Sequence, residues 1–182
     1  MSDISEPDAG ETVDALAAVA RVQRQREQAL RVPIGVIGPR EASDAQLAIA
    51  REVGELLARC GLTVVCGGRG GIMQAVCEGV EREGGISIGM LPEPDPSLAN
   101  PFVTIPIATG IGEARNALIA RAAFCLICIG NSFGTLSEVA LGRQFGKTVI
   151  GLAHAPDVAG VVHVGSAHEA VTLVANMVLG RR

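Results

Sequence analysis

The chain has 182 residues, 48% hydrophobic and 19% charged, with 15 basic against 19 acidic side chains and a net charge of -4. Such a length fits one domain that buries roughly two thirds of the surface its unfolded chain exposes, and the charge balance lacks the basic footprint of a nucleic-acid binder. Four Phe and no Trp or Tyr leave the packing to aliphatic side chains and offer few rings for stacking on a base.

The N-terminal MSDISEPDAGETVDA is acidic where a secretory signal is basic and then apolar, and the longest apolar runs are strand-sized. The expectation is a cytoplasmic protein with no membrane partner. Residues 1–31 read as an arm outside the core: disordered to about residue 10, then an amphipathic helix over ETVDALAAVARVQRQREQAL. Residues 32–182 read as the folded domain.

From Pro33 a strand PIGVIG leads to the helix SDAQLAIAREVGELLARCG, opened by a capping box of Ser43 and Gln46 and stopped at Gly61. The pattern then recurs. LTVVC leads through GGRGG to IMQAVCEGVERE; ISIGML leads to the loop PEPDPSLANPF; VTIPI leads through ATGIG to EARNALIARAA. FCLICI leads through GNSFG to TLSEVALGRQ, and KTVIGL, VVHVG and AHEAVTLVANMVL close the chain. Strand and helix alternating at these lengths predict a Rossmann-like, doubly wound α/β fold: a mainly parallel sheet of about seven strands with helices on both faces. Ligands of such sheets bind at the carboxyl ends of the strands.

That rule gathers Pro39, Arg40, Gly67, Gly68, Arg69, Gly70, Gly71, Thr109, Gly110, Gly112, Glu113, Arg115 and the stretch Gly130 to Glu138 at one edge. GGRGG before a helix lets backbone amides approach an anion, with Arg69 adding a charge, although a tight turn explains the same glycines. It is neither GxGxxG nor a Walker loop. Arg115 opens a helix, where a cation opposes the macrodipole unless an anion is near; Arg121 falls on another face and reads as surface or interface. Within IGNSFGTLSE, Asn131, Ser132, Phe133 and Gly134 form the turn. Thr135 reads as N-cap and Glu138 as its capping-box partner.

The same stretch satisfies the GxSxG pattern of a nucleophile elbow. No oxyanion segment precedes Ser132, however, and His163 lies inside an apolar run, so a serine hydrolase is disfavoured. The histidines lack metal-ligand spacing, and no metal site is expected. Cys60, Cys66, Cys77, Cys125 and Cys128 all sit in apolar runs and read as reduced and structural. Cys125 and Cys128, three apart on a strand, point to opposite faces and so do not form a working CxxC.

GGRGGIMQAV, LPEPDPSLANPFVTIPIATGIGEARNALIARAA, GNSFGTLSEVAL and GKTVIGL, in this order, resemble the lonely-guy-like (SLOG) superfamily of Rossmann proteins, in particular its molybdenum-cofactor carrier branch. The resemblance spans about Pro33 to Leu152. In the phosphoribohydrolases of this superfamily, an arginine and the glutamate of PGGxGTxxE cleave nucleoside monophosphates, and Arg115 and Glu138 fall at the matching positions. Where those enzymes have PGG, this chain has Gly130-Asn131-Ser132, and GGRGG is a residue shorter than their glycine loop; both changes reshape the site. The carrier branch keeps the arginine and the glutamate but holds an anionic pterin phosphate. The resemblance therefore implies a small phosphorylated ligand, either the molybdenum cofactor (molybdopterin) or a nucleoside monophosphate, with Phe133 placed to cover a flat ring. It also implies a homodimer or homotetramer, and molybdoenzyme maturation proteins as partners.

Overall fold

The computed structural model describes residues 14–25 and 27–181, so the disorder expected over the first ten residues lies outside the described part. Seven strands form one sheet: β1 (Ile34–Ile37), β2 (Val64–Cys66), β3 (Ser87–Leu91), β4 (Ile105–Ala108), β5 (Leu126–Ile129), β6 (Val149–Leu152) and β7 (Val161–His163). Their order is β4-β3-β2-β1-β5-β6-β7, and every adjacent pair is parallel. The helices are α1 (Ala15–Gln23), α2 (Asp44–Arg59), α3 (Ile72–Arg82), α4 (Arg115–Ala122), α5 (Phe133–Gln144) and α6 (Ala167–Val178).

The period-2 alternation of the strands explains the two cores. Ile34, Val36, Val64, Cys66, Ile127 and Ile129 pack under α1, α2, α3 and α6; Ile37, Val65, Leu126, Cys128 and Val149 pack under α4 and α5. Parallel strands buried on both faces need apolar side chains at every position, which is why β1, β5 and β6 read as uninterrupted apolar runs. Cys125 belongs to the first core and Cys128 to the second, so the strand geometry separates the two sulfurs. All five cysteines are free and buried.

Helix α1 packs on α6 and α2, with Ala18 and Val19 buried. It therefore rests on the body of the domain. The capping box of Ser43 and Gln46 opens α2. Close packing of α2 on α3 rests on Gly54 and Gly79, where an added Cβ would collide with the carbonyl oxygens of Val76 and Arg51 respectively.

The sheet grows from β1 outward to β4, then the chain returns to the other side of β1 with β5. The loops after β1 and β5 consequently run to opposite sides of the sheet, opening a crevice between them at the strands' carboxyl ends. Among the described residues, no helix is long and apolar enough to cross a membrane.

Candidate functional site

A cavity of about 690 Å³ occupies this crevice. Gly38, Pro39, Arg40 and Glu41 line it from the loop after β1, Asn131 to Thr135 with Ser137 and Glu138 from α5 and its approach, Glu113, Arg115 and Asn116 from the start of α4, and Gly67 and Met73 from its floor. The histidines are not among its walls.

Helix α5 begins differently from the sequence expectation. Ser132, not Thr135, is the N-cap: its Oγ accepts the Thr135 N–H at 3.1 Å and lies 2.8 Å from Thr135 Oγ1. Gly130 takes the left-handed conformation, φ +74°, and swings the chain so that Ser132 is extended and Phe133 already helical. Thr135 thus stands at N3 and is buried, and Glu138 lies inside the helix, nearly two turns beyond the cap, facing the cavity. The amides of Phe133 and Gly134, at N1 and N2, have no intrahelical acceptor. Ser132 Oγ is committed to the cap rather than poised as a nucleophile.

Arg115 is the first residue of α4 and only 4% exposed. Its Nε and Nη1 are buried without a hydrogen-bond partner. It fits because Gly67 lacks a side chain: a Cβ there would collide with Nη1 and lie 2.6 Å from Nη2. Glu138 is 7% exposed. Burial is the largest influence on its carboxyl and pushes it up to about 8, against the pull of Arg115 and with a smaller upward push from Glu113. Asn116, also buried, donates from Nδ2 to Ser137 Oγ at 3.2 Å, and that hydroxyl donates to the Gly134 carbonyl at 2.7 Å, tying α4 to the first turn of α5. At the mouth, Arg40 pairs with Glu113 at 3.7 Å, and Phe133 is 94% exposed.

Of the glycine loop after β2, only Gly67 reaches the cavity wall. Arg69 was expected at an anion, but its Nη2 lies 2.9 Å from a Glu93 carboxylate oxygen. Asn100 Nδ2 donates to the carbonyls of Gly68 and Arg69, at 3.2 and 3.0 Å. Gly70 and Gly71 continue the turn, and Gly71 backs onto the carbonyls of Pro39 and Arg40. Gly110 and Gly112, both left-handed, shape the turn before α4 without lining the crevice; the Gly110 amide donates to the Glu93 carbonyl and the Gly112 amide to that of Pro92. Arg121 lies outside the site, stacked 3.7 Å above the Phe145 ring. Sequence reasoning passed over Asn116, Met73 and Glu41, and gave Ser137 no role beyond its place in the Gly130 to Glu138 stretch. Asn116 alone left a signal, a polar residue next to Arg115 on a helix start.

An all-parallel doubly wound sheet with a cavity at its switch point puts the chain among the Rossmann-like α/β proteins. Residues 31–178 match the model of the SLOG cluster4 family, and the chain belongs to that family. An uncharacterized protein of Archaeoglobus fulgidus is 41% identical over 119 residues, covering 65% of this chain and 78% of its own. Among solved structures, the molybdenum cofactor binding protein of Rippkaea orientalis is similar at TM-score 0.77 and 32% identity, over 82% of this chain and 99% of that one. The molybdenum cofactor carrier protein of Chlamydomonas reinhardtii is similar at TM-score 0.75 and 34% identity, over 83% of this chain and 100% of that one.

Proposed function

We propose that this chain binds a phosphorylated pterin, the molybdenum cofactor, in the β1/β5 crevice and acts as its carrier or storage protein. The observation that carries the reading is the buried Arg115 guanidinium with two donors unpartnered in a cavity. Leaving such donors unmade costs about 1–3 kcal/mol, and an oxyanion supplies the missing acceptors. The two N-terminal amides of α5 add further donors and the positive end of a helix. Phe133 at the mouth offers a face to a flat ring. The resemblance of the chain to cofactor-carrying relatives supports the pterin over other phosphorylated ligands.

The test is to incubate the protein anaerobically with molybdenum cofactor released from a molybdoenzyme, then pass it through gel filtration. Pterin and molybdenum are expected to co-elute with the protein and to be lost from Arg115→Met. Failure of the wild type to retain pterin overturns the reading. Handover to molybdoenzyme maturation proteins and assembly into a homodimer or homotetramer belong to the same proposal. Assembly is supported by the outer sheet edge, where Ile105 and Ile107 of β4 are exposed although parallel sheets are normally covered.

A second reading is favoured by Glu138. A carboxyl whose pKa lies near 8 beside a buried arginine suits acid catalysis at neutral pH, so a phosphoribohydrolase is the alternative: water adds to the ribose carbon as the N-glycosidic bond breaks and a proton goes to the leaving base. Release of free base from nucleoside 5'-monophosphates, abolished by Glu138→Ala, would establish it in place of the pure carrier.

A further inference from the structure

Glu138 and Arg115 line the same cavity from two helices, each more than nine-tenths buried, yet the Arg115 Nε and Nη1 donate to nothing. The carboxyl therefore does not take them. Among the described residues no group donates a hydrogen bond to the Glu138 carboxyl, and neighbouring groups of α4 and α5 pair with one another: Asn116 Nδ2 with Ser137 Oγ, Ser137 Oγ with the Gly134 carbonyl, and the Thr135 amide with Ser132 Oγ. A buried carboxylate without donors is far costlier than a buried carboxylic acid. The neutral acid also carries an O–H of its own.

We propose that Glu138 binds the ligand as a neutral carboxylic acid, donating its O–H to the same oxyanion that the Arg115 guanidinium holds. The inference rests on the crevice being an oxyanion site and deepens that reading: it assigns the ligand class as an anion whose uptake retains a proton. The charged groups around Glu138 agree with it. Arg115 on α4 is the buried cation; Glu113 just before it is paired with Arg40 of the β1–α2 loop, whose neighbour Glu41 also lines the cavity. Cys128, behind Glu138 on β5, is pushed up to about 12 by burial and stays a neutral thiol. With Glu138 neutral, the two arginines and the two remaining glutamates balance, and an incoming anion meets no excess of negative charge. With Glu138 ionised, the anion meets a third carboxylate at the bottom of the cavity.

The sign follows from which form binds. The free carboxyl ionises near pH 8, so affinity for the anion is flat below that pH and falls about tenfold per pH unit above it. Sulfate is the probe, because its charge does not change across this range. Titration calorimetry of the full chain with sulfate is expected to show affinity falling about thirtyfold between pH 7 and pH 9.5, with proton uptake near pH 8.5 read from buffers of different ionisation enthalpy. Glu138→Gln keeps an N–H donor and cannot ionise; whatever its affinity at pH 7, it is expected to show no fall in affinity between pH 7 and pH 9.5. Infrared spectroscopy gives a second readout in the free protein: a carboxylic-acid carbonyl band at pH 7, absent from Glu138→Gln. Sulfate affinity that is flat or rises with pH, or a missing acid band, overturns the proposal and leaves the oxyanion site standing. A wild type that binds no sulfate at any pH overturns both.

Discussion

Two turns of this molecule look alike on paper: Gly67 to Gly71, between β2 and α3, and Gly130 to Gly134, between β5 and α5. Both follow a buried strand, both open a helix, and both carry glycines in the left-handed region. The first is closed. Its carbonyls are taken by Asn100, its arginine by Glu93, and the space a side chain would fill at Gly71 by the backbone of Pro39 and Arg40. The second opens on a cavity beside an arginine without partners and an acid held above its ordinary range. Glycines therefore mark close packing as readily as they mark a ligand; what separates the two turns is whether the arginine is paired, as Arg69 is with Glu93, or has buried donors without acceptors, as Arg115 Nε and Nη1 do. In the closed turn, sequence and stability agree. In the open one they conflict, and substitutions should reveal the conflict.

The largest effect is expected at Glu138. Its folded pKa of about 8 lies above the ordinary 4.5, so the native state holds a proton that the unfolded chain releases. Its share of stability is intact below about pH 4.5, is lost as pH rises towards 8, and is constant above. Relative to wild type, Glu138→Gln should be progressively more stable across that window, by roughly 3–5 kcal/mol at pH 8. Urea unfolding at several pH values checks it; a difference that does not grow with pH would break the contrast between the turns. The closed turn should respond in the opposite direction. Gly71→Ala places a Cβ against the carbonyl oxygens of Arg40 and Pro39 at φ +66°, and should lose about 3 kcal/mol, read from the same unfolding curves.

This contrast also explains what the sequence disclosed. The apolar runs and helix spacing of Pro33 to Val178 disclose the seven strands and the helices between them: β1, β2, β5 and β6, buried on both faces, cannot hide their composition, whereas the exposed edge strands β4 and β7 show only through their β-branched residues. The order of the strands at the crevice follows from right-handed crossovers and one reversal. Local signals failed where tertiary partners decide. TLSE has the form of a capping box, yet a left-handed Gly130 moved the helix start to Ser132, and nothing in the motif fixes that φ. Arg69 and Arg115 are equivalent in sequence, each beside glycines and a helix start; only Glu93, 24 positions further on and brought back by β3, neutralises the former.

Those two arginines give the next test in size. Arg115→Met removes charge-assisted hydrogen bonds worth about 1.5–3 kcal/mol, so sulfate affinity should fall at least about tenfold. Arg69→Ala breaks a largely buried pair outside the cavity wall, with side chains 24% and 28% exposed, and should leave affinity within about twofold even where it lowers stability. Equal losses at both positions would show that the glycine loop after β2 takes part in binding after all.

Gly134 offers the finest discrimination. It is exposed at the second position of α5, its φ is not left-handed, and an added Cβ would meet only Ser132 Oγ, at 3.7 Å. If Gly134 serves the fold alone, alanine there should simply stabilise the helix by about 0.4–1 kcal/mol, raising Tm by roughly 1–4 °C. If instead its backbone must come close to an anion, the same methyl group stands in the ligand's path. Gly134→Ala is therefore expected to raise Tm while weakening the affinity for sulfate, a pairing that no substitution in the closed turn should reproduce. Higher Tm with unchanged affinity would take the first turn of α5 out of the ligand's reach and leave Arg115 and Glu138 to hold it.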